Sequence, residues 1–180
     1  THLVDATHPF AAQMSQNAIL ACQKTNIPLA ALTRPQWQKQ KADNWNLVPD
    51  IKAAAAALDG DPKRVMLAIG RMHLDQFYNN LQHFYLLRVV DRPEVPPAFP
   101  NQVIEVSRGP FTTAQDTLLL SKYKIDLIVA KNAGGKAAYA KIEAARQLEI
   151  KVIMIERPVI ADRLTFYNSE EVVHWISVSG

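Results

Sequence analysis

One pattern constrains this chain more than any other. A short apolar run followed by a capped amphipathic segment recurs along its length. That alternation is the signature of βα units feeding a mostly parallel sheet, so the fold class read from the sequence is α/β with Rossmann-like domains. His2 to Asp5 reads as a strand. Pro9 suits the first helical position with His8 as N-cap, and Ala11, Met14, Ala18 and Cys22 fall on one helix face. Pro28 to Thr33 reads as the next strand, followed by a Trp-containing loop. Asp50 caps a helix over Ile51 to Leu58 that Gly60 and Pro62 terminate.

Further along, Val65 to Ile69 reads as a strand, and Leu74, Phe77, Tyr78 and Leu81 form a helical stripe. Phe84 to Val90 and Val103 to Val106 read as strands. A helix is expected from about Thr112 to Tyr123, with Thr113 and Asp116 as its capping box. Ile125 to Ala130, a helix from Gly135 to Leu148, and Val152 to Glu156 then make a βαβ crossover. Asn168 opens a last helix with Glu170 and Glu171 in its first turn, where the helix dipole favours acidic groups.

The expected organisation is therefore a first Rossmann-like domain over residues 1–50, a second over 51–160, and a C-terminal helix within 161–180 that packs back on the first. Before the 51–62 linker there are only two strands and one helix, too little to cover both faces of a parallel sheet. The chain also begins without Met, inside a buried strand. The expectation is that the front half of the first domain lies upstream of Thr1.

Composition narrows the function. With 48% hydrophobic and 21% charged residues, the 180-residue chain has globular composition. Its net charge of +3 comes with no basic block, which argues against a nucleic-acid partner. No apolar run approaches the ~20 residues of a membrane helix. The single cysteine, Cys22, cannot form an intramolecular disulfide, which suits a cytoplasmic setting. His2, His73, His83 and His174 show no metal-ligand spacing, so no metal is expected.

Glycine is scarce, six in the chain against the roughly 7% usual in proteins, so its placement carries information. Gly70, Gly109, Gly134 and Gly135 each fall just past the end of an expected strand, the edge where open α/β sheets bind ligands. Cations follow the same edge: Arg34, Arg71, Arg92, Arg108, Lys131 with Lys136, and Arg157. Arg binds phosphates and carboxylates in bidentate geometry, so six such positions in register point to a polyanionic ligand. The segment KNAGG is not a P-loop, because Ala130 and Ala137 stand where Gly and Ser or Thr are needed. It reads either as a backbone anion site at a helix N-terminus or as a tight turn. DATHPF, Asp5 to Phe10, puts a carboxylate, a hydroxyl and an imidazole in one turn; His8 is a candidate proton donor or a simple cap.

DATHPFA at Asp5 to Ala11, LTRP at Leu32 to Pro35, IGR at Ile69 to Arg71, SRGPF at Ser107 to Phe111, KNAGG at Lys131 to Gly135, KIEAAR at Lys141 to Arg146 and MIERP at Met154 to Pro158 together resemble the precorrin-6A reductases of cobalamin biosynthesis. The resemblance implies two Rossmann-like domains, NADPH or NADH as cofactor, and hydride transfer to the C18=C19 double bond of precorrin-6A or its cobalt-containing counterpart. It implies an anionic tetrapyrrole as partner; the expected assembly is a monomer or weak oligomer. Under it, Asp5, Ala6, Thr7, His8, Gly70 and Arg71 are expected at the cofactor. Arg34, Arg108, Gly109, Lys131, Asn132, Gly134 and Gly135 are expected at the substrate, and His8 is the candidate catalytic group. The family's Gly-rich pyrophosphate turn has no counterpart here. The competing expectation is a non-catalytic binding module for a polyanionic small molecule.

Overall fold

The computed structural model describes residues 1–179, in two compact units that exchange chain segments. Unit 1 holds Thr1–Trp37, Ala133–Gly135 and the chain from Arg157 onward; unit 2 holds Gln38–Asn132 and Lys136–Glu156. The boundary thus falls at Trp37 rather than after Asp50, and three residues of the KNAGG segment belong to unit 1.

In unit 1, strands β1 (Leu3–Asp5), β2 (Leu29–Leu32) and β9 (Leu164–Phe166) form a parallel sheet in the order β1-β2-β9. β9 was not expected from the sequence: LTF is short, one of its three residues is polar, and all three retain some exposure. Helix α1 (Ala12–Thr25) packs on this sheet through Ser15, Ile19 and Cys22, and ends where Asn26 turns left-handed and donates its N–H to Cys22 O. It starts three residues later than Pro9 would place it. Its N-cap is Ala11, while His8 closes the preceding turn, its carbonyl accepting Ala11 N–H at 2.7 Å and its Nδ1 accepting Phe10 N–H at 3.2 Å. Helix α5 (Ser169–Val178) is capped by Asn168, whose side chain accepts Glu171 N–H at 2.8 Å.

Unit 2 is a six-stranded, wholly parallel sheet. Its strands are β3 (Trp45–Val48), β4 (Arg64–Ala68), β5 (Phe84–Val89), β6 (Gln102–Val106), β7 (Leu127–Lys131) and β8 (Lys151–Ile155), in the order β3-β8-β7-β4-β5-β6. The central strands are near-continuous runs of buried Val, Leu, Ile and Met, as a sheet covered on both faces requires. The strand β3 lies in the segment read as a loop; its Trp45 and Val48 are buried and its Asn46 and Leu47 are not, so the apolar run is too broken to show in sequence.

Helix α2 (Ile51–Ala56) is capped by Asp50 as expected, with Ala53 N–H donating to the carboxylate at 2.7 Å. The Leu74 to Leu81 stripe is a 3₁₀ segment over Arg71–Phe77 rather than an α-helix, burying Leu74 and Phe77 but leaving Leu81 exposed. In α3 (Thr113–Lys122) the capping box is Thr112 with Gln115, one residue earlier than read, because Asp116 turns inward to pair with Arg88. Helix α4 (Ala140–Gln147) begins five residues after Gly135, beyond a turn at 136–139. Arg146 on α4 ties it to the stretch before β3, its Nε donating to Asp43 Oδ1 at 2.8 Å.

Candidate functional site

In unit 1 the DATHPF turn leaves the carboxyl end of β1. Asp5 is 6% exposed and both its oxygens are engaged. Oδ1 accepts Thr7 Oγ at 2.6 Å and Thr7 N–H at 3.1 Å, and Oδ2 accepts Ser15 Oγ at 2.6 Å and pairs with Arg163 Nη2 at 3.0 Å. Burial opposes ionisation, but the hydrogen bonds from Ser15 and Thr7 and the charge of Arg163 outweigh it and hold the carboxyl below its ordinary range. Asp5 therefore fixes the turn from behind, while Ala6, Thr7 and His8 are exposed at the edge. Ser15 and Arg163 were not singled out from the sequence. Ser15 sits in an unremarkable helical run, and Arg163 enters through the unforeseen β9.

The Gly134-Gly135 pair answers differently from either reading alone. Both residues have positive φ, 70° and 76°. A Cβ at Gly134 would collide with the Pro35 carbonyl and sit 2.6 Å from Arg157 Nη2; one at Gly135 would sit 2.7 Å from Arg34 Cδ. Trp37 Nε1 donates to Gly135 O at 2.8 Å, and Arg157 Nη2 donates to Ala133 O at 3.0 Å. Because α4 starts only at Ala140, the pair does not stand at a helix N-terminus. It is a close approach of backbone that brings two Arg-Pro motifs together. Burial, and then the neighbouring Arg34, lower the Arg157 pKa.

In unit 2 the chain order reverses between β4 and β7: β5 and β6 extend the sheet to one side, β8 and β3 to the other. Ligands of open α/β sheets bind outside the carboxyl ends at such a switch point. Gly70 and Arg71 follow β4 there, and Lys131 ends β7 with Asn132 just after it. Burial lowers the Lys131 pKa, and burial together with Lys131 lowers that of His73. Asn132 is buried, its N–H donating to Ile155 O at 2.9 Å. Arg108, by contrast, is exposed and pairs with exposed Asp91 at 2.6 Å; Gly109 precedes Pro110 in a cis peptide and lies against Phe111.

Beside this edge lies a charge cluster the sequence reading missed. Arg88, at the end of β5, forms a bidentate pair with Asp116 of α3 and lies 4.3 Å over the Phe111 ring. Lys141 of α4 is buried, with Nζ donating to Ala138 O at 2.6 Å; burial and Arg88 push its pKa down to about 8 against the pull of Asp116. An Arg inside the apolar run FYLLRV was the available signal.

Two wholly parallel sheets with their connecting helices define a Rossmann-like α/β protein. The model of the family described as "Precorrin-6x reductase CbiJ/CobK" matches residues 1–177, and the chain belongs to that family. The precorrin-6A reductase of Rhodobacter capsulatus is 49% identical over the whole chain, which covers 72% of that relative. The precorrin-6A reductase of Sinorhizobium sp is 45% identical over 97% of the chain and 69% of its own length. The cobalt-precorrin-6A reductase of Priestia megaterium is 33% identical over 96% of the chain and 71% of its length. A solved structure, "CobK precorrin-6A reductase", superposes with a TM-score of 0.97 at 49% identity, covering 99% of this chain and 73% of that one. The expected family and the expected α/β fold with mostly parallel sheets are borne out. The expectation of a non-catalytic binding module has no support among these relatives.

Proposed function

We propose that this protein reduces precorrin-6A to its 6B product in cobalamin biosynthesis, saturating the C18=C19 bond with a hydride from NADPH or NADH. The observation that carries the reading is the match to reductases over essentially the whole chain, at up to 49% identity with the Rhodobacter capsulatus relative. The nicotinamide supplies the hydride; position and electrostatics come from the chain.

Exposed Ala6, Thr7 and His8 past the end of a parallel strand suit the nicotinamide end, and Asp5 orients them by holding Thr7. No Gly-rich strand-to-helix turn suited to a pyrophosphate occurs among the described residues. His8 is the candidate proton donor, with solvent as its competitor. Arg34 with Gly134 and Gly135 in unit 1, and Arg108, Gly109, Lys131 and Asn132 in unit 2, are the groups proposed for the acetate and propionate arms, since guanidinium and ammonium groups attract a polycarboxylate. A cytoplasmic setting, supported by the free, buried Cys22, and a monomer or weak oligomer complete the reading.

Anaerobic incubation of the full-length protein with precorrin-6A and either reduced nicotinamide tests it. Loss of the nicotinamide absorbance with a simultaneous shift of the macrocycle spectrum is the expected result; binding without oxidation of the nicotinamide would sink the reading. If His8 is the proton donor, His8→Ala lowers kcat with an altered pH profile, whereas unchanged turnover across pH returns it to a turn cap.

A further inference from the structure

The buried carboxylate of Asp5 has no capacity left for a ligand. An ionised carboxylate offers about four acceptor positions. Here they are filled by Thr7 Oγ and Thr7 N–H on Oδ1, and by Ser15 Oγ and Arg163 Nη2 on Oδ2. These donors come from the turn itself, from helix α1 and from the residue before β9, so the group is fixed from several sides.

Because an ionised Asp5 can only accept, its 2.6 Å contact with Thr7 Oγ fixes where the threonine proton lies. The hydroxyl donates inward, and what remains to it at the exposed edge is acceptor capacity alone. Thr7 N–H is likewise committed to Oδ1, at 3.1 Å. A ligand group that meets the Thr7 side chain therefore has to be a hydrogen-bond donor. The acetate and propionate arms of a precorrin are ionised at neutral pH and would set one acceptor against another. A nicotinamide carries the matching group, the NH2 of its carboxamide, which has two donors.

We propose that Thr7 Oγ is the acceptor for the carboxamide NH2 of the nicotinamide, with Asp5, Ser15 and Arg163 behind it as positioning residues. This rests on the reductase reading and deepens it: within the DATHPF turn Thr7 touches the cofactor and Asp5 does not. By holding a group next to the ring carbon that gives the hydride, Thr7 limits rotation of the ring about its bond to the ribose. Arg163 acts from the far end of the chain. Its Nη2 reaches Asp5 Oδ2 at 3.0 Å and Ser15 Oγ at 3.3 Å, which favours the ionised carboxylate and holds its lone pairs in place. A protonated Asp5 could instead give a hydrogen to Thr7, freeing the threonine proton and cancelling the preference for a donor.

The test is calorimetric titration of the full-length protein, without precorrin, with NADPH and NADH, each against its reduced 3-acetylpyridine analogue, in which a methyl group replaces the amide NH2. The wild-type protein should bind the carboxamide form roughly tenfold more tightly, the worth of one hydrogen bond whose loss leaves an acceptor unpaired. Thr7→Ser should keep that ratio. Thr7→Val, which keeps the shape, should abolish it by weakening the carboxamide form alone. Arg163→Met should reduce the ratio and Arg163→Lys restore it, with the fold of each variant checked by circular dichroism. Equal affinity for the two forms in the wild-type protein, or a Thr7→Val protein that loses both alike, would overturn the contact; a folded Arg163→Met protein with the full ratio would remove Arg163 from it. Precorrin-6A reduction, followed separately, distinguishes this from a failure of the reductase reading. Turnover without the Thr7-dependent ratio keeps the reading and sinks the contact, and the ratio without turnover does the reverse.

Discussion

The two units finish their carboxyl edges in opposite ways. In unit 1 Gly134 is crowded: its left-handed φ is accompanied by the Pro35 carbonyl and Arg157 in the space a side chain would need. In unit 2 Gly70 also has positive φ, but nothing lies within 4 Å of the position a Cβ would take. The charged groups are paired in both units: Asp5 holds Arg163 and Thr7 in unit 1, and Asp116 holds Arg88 in unit 2. The backbone is crowded at Gly134 and open at Gly70. A Gly at a strand end therefore says little until its surroundings are known.

Breaking the balanced network should cost most. Asp5→Asn leaves Arg163 without its ion pair in a buried setting and is expected to destabilise the protein by about 3–5 kcal/mol in denaturant unfolding. The sign with pH follows from the lowered folded pKa. The stabilisation is complete above the unfolded carboxylate's range and is lost as pH falls through the folded value, so the variant should lose that acid-side decline.

The glycines give the next largest contrast. Gly134→Ala meets both the φ penalty and the backbone collision and should cost about 3 kcal/mol, while Gly70→Ala meets the φ penalty alone and should cost about 1 kcal/mol. Equal losses at the two positions would erase the distinction between closed and open edges.

Removing the buried Lys141 ammonium should work in the other direction. Because the Lys141 pKa is about 8 folded and 10.5 free, the unfolded chain holds a proton that the folded chain lacks between those values, and stability rises with pH across that window. Lys141→Met should remove this slope and raise stability at neutral pH by about 2 kcal/mol, read by thermal melts against pH. The smallest effect belongs to Arg108→Ala: its ion pair with Asp91 is exposed on both sides, and the loss should stay within about 0.5 kcal/mol.

What the sequence disclosed, and what it hid, divides along physical lines. The central strands of unit 2 were legible because a strand buried on both faces is an unbroken apolar run, as in LIVAK and RVMLA. The edge strands β3 and β9 were not, since WNLV and LTF mix polar and apolar residues. Caps read well where the side chain has one local partner, as at Asp50 and Asn168, and slipped by a residue where Asp116 was drawn into a tertiary pair. Arg34 does lie against Gly135, but the cause, backbone crowding between distant loops, has no local signature in the sequence. Arg88, Lys141 and Arg163 escaped because a buried cation is recognised by what surrounds it.

The exchange of segments between the units has a consequence for how the chain reaches its fold. β2 and β9 are partners drawn from opposite ends of the chain, with Ala30 opposite Leu164. No contiguous stretch contains all of unit 1, and three of its residues, Ala133–Gly135, are supplied from within the β7 to α4 connection. Pairings of such long sequence separation carry a large loop-closure entropy and form late. The six-stranded sheet, built from neighbouring βα units, can assemble first, and the three-stranded sheet must wait until β9, Leu164–Phe166, has been made.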